Sequence, residues 1–555
     1  MIVGIDMGGT HIDGAIIKDG KIIKTIKNET DKDDIFNTIL SALIKLLDGV
    51  DKSLISRINL STTISTNAIV EDKVSKVGMV ISSGPGRVYN FDDTNSQVHF
   101  ISGYSDHKGD LVKSVNKDEV LLIKDSFKEN KVEAVGVVSK FSVRNPNFEL
   151  EVSKLLKDDF NDLTMGHSLS GKLNFSRRVK TTYLNAAVKK TFLSFAQNLE
   201  RSLSQENITA PVYILKADGG TMTISEAVNK PVETILSGPA ASFMGVSAMY
   251  DEVEDGILLD IGGTTTDIFF LIKGEPLFEP LGITINQHQT LIRAIFSDSI
   301  GLGGDSYVRI ENKELKIGPQ RKGKPIIFGG SDLTPTDAMA ALDLIDGDNK
   351  EAALKSLSLL GESLNLSVVD VSNKILDVFV KTILERVTLL LDKINSKPVY
   401  TIKELLRNYK LEPKFINVIG GPAEMMAPKI SKQFDLEVKY PKNYSVANAI
   451  GASLAKPTFE INMHVDTYKQ FISIPEVNIY NKVSRSYNLK KAKSYAIEVI
   501  ENQALSIGED IEDVEAEIVE ASSFNMLKGY MGASKNIRVR AQSKPGLIYK
   551  LKGDY

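Results

Sequence analysis

The sequence predicts an α/β protein of two related lobes, followed by a small C-terminal α+β appendage. Three observations carry that prediction. The pattern D-x-G-G-T-x-x-D occurs twice, as DMGGTHID (6–13) and DIGGTTTD (260–267). The two copies share their flanks: an apolar run precedes each, a second follows, and the distance from Asp6 to Gly20 equals that from Asp260 to Gly274. A third apolar run, FINVI, ends in Gly420-Gly421-Pro422 and leads into a segment with Met425, Met426, Ile430 and Phe434 at helical spacing.

Each copy reads as strand, tight Gly-Gly turn, strand and a further turn, and Asp19-Gly20 is a strong hairpin signal. The residue types suit phosphate. Glycines at 8, 9, 262 and 263 leave no side chain in the way, and their backbone N–H groups can converge on an anion. Thr10, Thr264 and Thr265 add hydroxyls. An aspartate beside phosphate makes sense when a cation lies between them. Mg²⁺, held by one or two carboxylates plus phosphates and water, fits that need. Asp6 and Asp260 are therefore the expected metal-organising carboxylates. Asp267 can face the γ-phosphate or a water, whereas its counterpart Asp13 has a weaker case as a functional group. Two facing hairpins would clamp a triphosphate, and Gly420-Gly421-Pro422 at a strand-to-helix junction would meet the flat nucleoside end.

Along the chain, residues 1–255 form the expected first lobe with an insertion at about 73–210, residues 256–456 the second, and residues 457–555 the appendage. The first lobe begins with the hairpin. An amphipathic helix through Ile39, Leu43 and Leu47 and the strand-turn-helix RINLSTTISTNAIVE follow. The insertion carries the β-branched run VEAVGVVSKF and a long helix beginning near Arg177. The second lobe includes the helical stretch ILDVFVKTILERVTLLLDKI. Pro457 and PEVNIYN read as linker, before a helix (LKKAKSYAIEVIENQALSIG) and two alternating strands.

The set of two hairpins and a late Gly-Gly resembles the actin-like ATPase superfamily, with its ribonuclease H-like fold. LSTTISTNAIVE (60–71), KADGGTMTISEA (216–227), LSGPAASFMGVSAM (236–249), IGLGGDSYV (300–308), TPTDAMAALD (334–343) and ANAIGASLA (447–455) narrow it. In this order they resemble the hydantoinase A / 5-oxoprolinase family, from residue 1 to about 456. The resemblance implies ATP and Mg²⁺ as cofactors and coupling of ATP hydrolysis to the opening of a cyclic amide through phosphorylation of the amide oxygen. It also implies a second, hydantoinase B-like subunit as partner. A small-molecule kinase, an acetone-carboxylase-like subunit and a nucleotide-switched ATPase acting on a partner protein are the competing readings.

Candidates for holding a small polar ring are Thr62, Thr63 and Asn67, Ser237, and Asp305. Thr62, Thr63 and Asn67 equally suit a helix N-cap, and Asp305 a turn after Gly303-Gly304. Two departures from the family stand out: Ser61 and Asp298 occupy places where many members carry histidine. His288 is nearby in sequence, but a lone histidine is more often structural.

Composition excludes several classes. Net charge is −4 with both signs interspersed, which favours neither nucleic acid nor an anionic membrane. Cysteine is absent, removing disulfides and thiolate chemistry, and none of the six histidines forms an H-x-x-H or H-E-x-x-H pattern. MIVGIDMGG lacks a basic leader and no apolar run spans a bilayer, so a cytoplasmic protein is expected. A homo-oligomer is compatible with the sequence, which carries no sign of subunit number.

Overall fold

The computed structural model describes all residues except 9–10, 32–34, 87–88, 92–93, 95, 280, 313, 397–408, 528–532 and 554–555. Gly9 and Thr10, expected in the first phosphate turn, lie outside the described residues.

Two mixed six-stranded sheets hold the repeated motifs. In the first, Ile2–Met7 pairs antiparallel with His11–Lys18, which pairs with Lys21–Glu29. On its other edge Ile2–Met7 pairs in parallel with Arg57–Thr62. In the second, Gly256–Ile261 pairs antiparallel with Thr266–Ile272 and in parallel with Phe415–Ile419. The registers correspond: Asp6 faces Asp13 and Asp260 faces Asp267. The strands Ile2–Met7 and Phe415–Ile419 are buried throughout, as apolar runs covered on both faces require.

One core packs the helix Ile35–Leu47 and the C-terminal half of Phe175–Gln205 on the first sheet through Ile39, Leu43, Phe192 and Leu199. The other packs Pro335–Ala341, Lys350–Leu364 and Val368–Ser396 on the second through Met339, Leu357, Phe379 and Ile383. Between the sheets, Ser237–Met249 and Ala447–Leu454 cross with backbone nearly in contact. A Cβ on Gly451 would stand 2.1 Å from the Ala241 carbonyl, so both helices are rich in small residues there.

Residues within 73–210 build a separate parallel sheet ordered Asp162–Met165, Ala134–Ser139, Val77–Ser82, Gln97–Phe100. The start of Phe175–Gln205 covers one face of it through Val179 and Tyr183.

The C-terminal region differs from the linker expectation. Glu460–Asp466, Phe471–Ile474 and Ile479–Lys482 are strands of a five-stranded sheet completed by Ala533–Ser543 and Ala516–Leu527. Ile461, Met463 and Val465 alternate inward and pack with Ala496 and Ile500 of the helix Leu489–Ser506. That period of two was present in EINMHVD, but the neighbouring prolines obscured it; Pro475 only opens a 3-10 turn.

His464 lies on this sheet with Nδ1 buried and unpartnered. Burial, together with the Arg144 and Arg538 guanidiniums, holds its pKa down at about 3 against an ordinary 6.5. An unfolded chain takes up that proton where the folded chain cannot, so stability falls as pH drops from 6.5 towards 3. His464→Gln should flatten that acid limb in denaturant titrations run from neutral pH downwards. An unchanged slope would mean that the imidazole charges in the folded protein.

Candidate functional site

Both hairpins open onto one cavity of about 530 Å³ between the sheets, within the usual range for a small-molecule site. The first turn closes with Gly8 N–H donating to the His11 carbonyl at 2.9 Å. The second closes identically, Gly262 N–H to the Thr265 carbonyl at 2.9 Å. The second is also buttressed by the GLGGD loop: Gly304 and Asp305 N–H donate to the Gly262 and Gly263 carbonyls at 2.9 and 2.7 Å. A Cβ on Gly303 would lie 2.5 Å from the Gly263 carbonyl carbon, so only glycine allows this stacking.

Asp6, Asp13, Asp260 and Asp267 all line the cavity. They form two like-charged cross-strand pairs, an arrangement that costs stability on its own. Burial raises Asp6 to about 7, with Asp13 and Asp260 pushing the same way against hydrogen bonds from Ser61 and Asn448. Burial raises Asp267 to about 7, assisted by Asp260. Asp13 is pushed up by burial to about 6, although Lys27 opposes the shift. Lys27 Nζ is 3.0 Å from Asp13 and also donates to the Ser445 carbonyl at 2.8 Å, tying the strand Lys21–Glu29 to the 3-10 turn Tyr444–Val446. Asp260 Oδ2 accepts from Ser242 at 2.7 Å and Asn448 at 3.2 Å.

The donor set fits Mg²⁺. Asp6 Oδ1 is buried without a partner. Among the described residues no three acidic, histidine or cysteine side chains form a cage. Mg²⁺ typically takes one or two carboxylates and completes its shell from phosphate and water, which Asp6 and Asp260 allow.

Gly420, Gly421 and Pro422 line the far part of the cavity. Gly420 has φ +92°, and a Cβ there would meet the Ile261 carbonyl at 2.2 Å. At Gly421 a Cβ would meet nothing within 4 Å, leaving a flat open face beside Met425 and Tyr444.

The ring-binding candidates divide. Thr63 and Asp305 line the cavity together with Gly238 and Pro239. Thr62, Asn67 and Ser237 do not line it. Ser237 Oγ donates to the Thr62 carbonyl at 3.2 Å, and Asn67 donates to Thr63 Oγ1 at 3.2 Å. Asp305 is paired with Arg321 at 2.8 Å.

The two departures have structural accounts. Ser61 lies opposite Asp6 in the parallel pair and hydrogen-bonds to it. Asp298 is held by Arg386 through two bonds of 2.7 Å. His288 packs edge-on against Tyr183, away from the cavity. Sequence reasoning missed Lys27, Ser242 and Asn448. The repeat of SGPAAS and ANAIGAS as small-residue helices facing Asp260 was the available sign.

Family models described as hydantoinase/oxoprolinase N-terminal region and hydantoinase/oxoprolinase match residues 2–160 and 178–461. The chain belongs to the hydantoinase/oxoprolinase family. Relatives in that family include the caprolactamase subunit alpha of Pseudomonas jessenii, 23% identical over 66% of this chain and 59% of that protein. Another is 5-oxoprolinase 1 of Arabidopsis thaliana, 23% identical over 62% of this chain and 31% of that protein. The chain thus matches between about a third and three-fifths of the length of these curated hydantoinase/oxoprolinase relatives. The crystal structure of the Pseudomonas jessenii ATP-dependent caprolactamase aligns with TM-score 0.70 at 17% identity, over all of this chain and 88% of that one. Nucleotide-free acetone carboxylase aligns with TM-score 0.70 at 13% identity, over 99% and 87%. At these identities the alignments show the shared α/β fold. Among the described residues no helix is long and apolar enough to cross a membrane.

Proposed function

We propose that the chain is the ATP-using part of a cyclic amide hydrolase with an actin-like, duplicated two-lobe core. The observation that carries this reading is the pair of matched Gly-Gly hairpins, each with an opposed aspartate pair, facing one cavity. The ATP-dependent caprolactamase and 5-oxoprolinase relatives support the substrate class.

In this reading the turns at Gly8 and at Gly262-Gly263-Thr264-Thr265 hold the phosphates, and Gly420-Gly421-Pro422 receives the nucleoside. Asp6 and Asp260 would hold Mg²⁺, which neutralises phosphate charge when bound. The amide oxygen attacks the γ-phosphorus and the bond to the β,γ-bridging oxygen breaks, releasing ADP. Phosphorylation converts a poor electrophile into an imidate phosphate. Water adds to its carbon, the ring C–N bond breaks to leave an acyl phosphate, and a second water releases phosphate. Asp267, raised to about 7, is suited to take the proton of an attacking water near neutral pH. Thr63 and Asp305 orient the ring, and a hydantoinase B-like subunit supplies groups that Ser61 and Asp298 do not.

The test is ADP release with Mg²⁺ in the presence of caprolactam, hydantoins and 5-oxoproline, with the ring-opened product followed by mass spectrometry. One ring compound should stimulate ADP release and be opened, alone or with a second subunit. A stable phosphorylated product would favour the kinase reading. Slow turnover indifferent to every ring, with and without that subunit, would defeat the cyclic amidase reading.

A further inference from the structure

A second cavity, of about 210 Å³, lies where the inserted sheet's loops meet the C-terminal sheet. Its charged lining is one-sided: Arg144, Lys172, Arg538 and Arg540 against Glu520, with the uncharged imidazole of His464 beside them. The register explains how they meet. Arg538 and Arg540 are two apart on Ala533–Ser543 and so share a face. Arg538 lies opposite His464 on one neighbour and Ser522 on the other; Arg540 lies opposite Asn462 and Glu520. Arg144 reaches in from the insertion, where it donates to the His107 carbonyl.

Apart from Lys172, the cations are compensated only from beyond ion-pair distance, by Asp466 and Asp106 for Arg144 and by Glu460 for Arg540. Lys172 is paired with Glu460 at 2.9 Å. Among the described residues no carboxylate lies within ion-pair distance of Arg144, Arg538 or Arg540, although Glu520 stands opposite Arg540 in the ladder. Arg540 Nε and His464 Nδ1 are buried without hydrogen-bond partners. Guanidiniums gathered at one cavity repel one another, and the planar fork of arginine matches oxyanions in two-point contacts. The volume is below the usual range for nucleotide- or drug-sized ligands. None of these groups touches the hairpin cavity.

We propose that Arg144, Arg538 and Arg540 form a binding site for a small multivalent oxyanion, of the phosphate or polycarboxylate class, separate from the hairpin cavity. Glu520 tunes that site by opposing the anion, and the imidazole of His464 forms its floor.

Two measurements on the whole 555-residue chain test this. Crystals soaked in selenate should show an anomalous peak between the guanidiniums of Arg538 and Arg540. In solution, inorganic phosphate titrated by calorimetry should bind at least about tenfold more weakly to Arg538→Gln, since a charge-assisted contact is lost. It should bind more tightly to Glu520→Gln, where the opposing carboxylate is gone. Arg538 is exposed, so its replacement leaves the core intact, and the gain expected from Glu520→Gln cannot arise from misfolding. Phosphate held by the hairpins is indifferent to both substitutions, which separates this site from the nucleotide reading. Selenate found only between the hairpins, or phosphate affinity unchanged in both variants, would overturn the proposal.

Discussion

Asp6→Ala and Asp260→Ala should each lower Mg²⁺-dependent ATP hydrolysis by at least about a hundredfold while the chain stays folded. Charge neutralisation is the main work in phosphoryl transfer, and Asp6 and Asp260 stand near the C-terminal ends of the two central strands, facing the same cavity. The two variants should differ in a useful way. Asp260 accepts hydrogen bonds from Ser242 and Asn448, so its removal frees two donors and also loosens the contact between helix and sheet. Asp6 accepts from Ser61 and Asn448 and has its Oδ1 buried and unpartnered, so its removal frees the Ser61 hydroxyl on the neighbouring strand. Steady-state turnover against Mg²⁺ concentration, with circular dichroism as the fold control, decides the matter. Wild-type turnover in either variant would remove that residue from the metal site.

Asp267→Asn should cut turnover by about 10²–10⁴-fold, the usual range for loss of a general base, and yet raise the melting temperature of the nucleotide-free protein. The second effect follows from the register. Asp267 faces Asp260 directly, and the repulsion disappears when one partner becomes neutral. The sign with pH is determined by the direction of the shift. Burial raises Asp267 from 3.8 to about 7, so its folded-state contribution is full below 3.8 and is lost as pH rises through about 7. Asp6 and Asp13 act in the same direction, with folded values of about 7 and about 6. These three carboxyls should therefore make the nucleotide-free protein lose stability as pH rises from 3.8 to about 7, and Asp267→Asn should lose less. A variant with wild-type turnover, or with a lower melting temperature at alkaline pH, would show that Asp267 serves the fold instead.

These expectations rest on parts of the molecule that differ in how visible they were in the sequence. The hairpins were legible because everything that defines them is local. Gly-Gly permits the turn, flanking apolar runs make the strands, and an aspartate at each end marks the pairing. The loop GLGGD was legible as a glycine motif, but its job of bracing the second hairpin was not. That job depends on hydrogen bonds from Gly304 and Asp305 to residues about forty positions earlier. Thr62, Asn67 and Ser237 had the right chemistry for a polar ring, but strand and helix geometry turns them away from the cavity. The linker expectation at Pro457 and PEVNIYN failed because prolines weighed more than the alternation of Ile461, Met463 and Val465.

The sequence by itself determined the α/β class, the repeated glycine-turn hairpins and the family, since each depends on short-range residue order. Only the tertiary structure decided which charges meet. Lys27 reaches Asp13 and the Ser445 carbonyl, Arg386 holds Asp298, and Arg144 joins Arg538 from a distant insertion. Electrostatic interaction depends on distance and burial, and neither can be read from residues separated by hundreds of positions until packing brings them together.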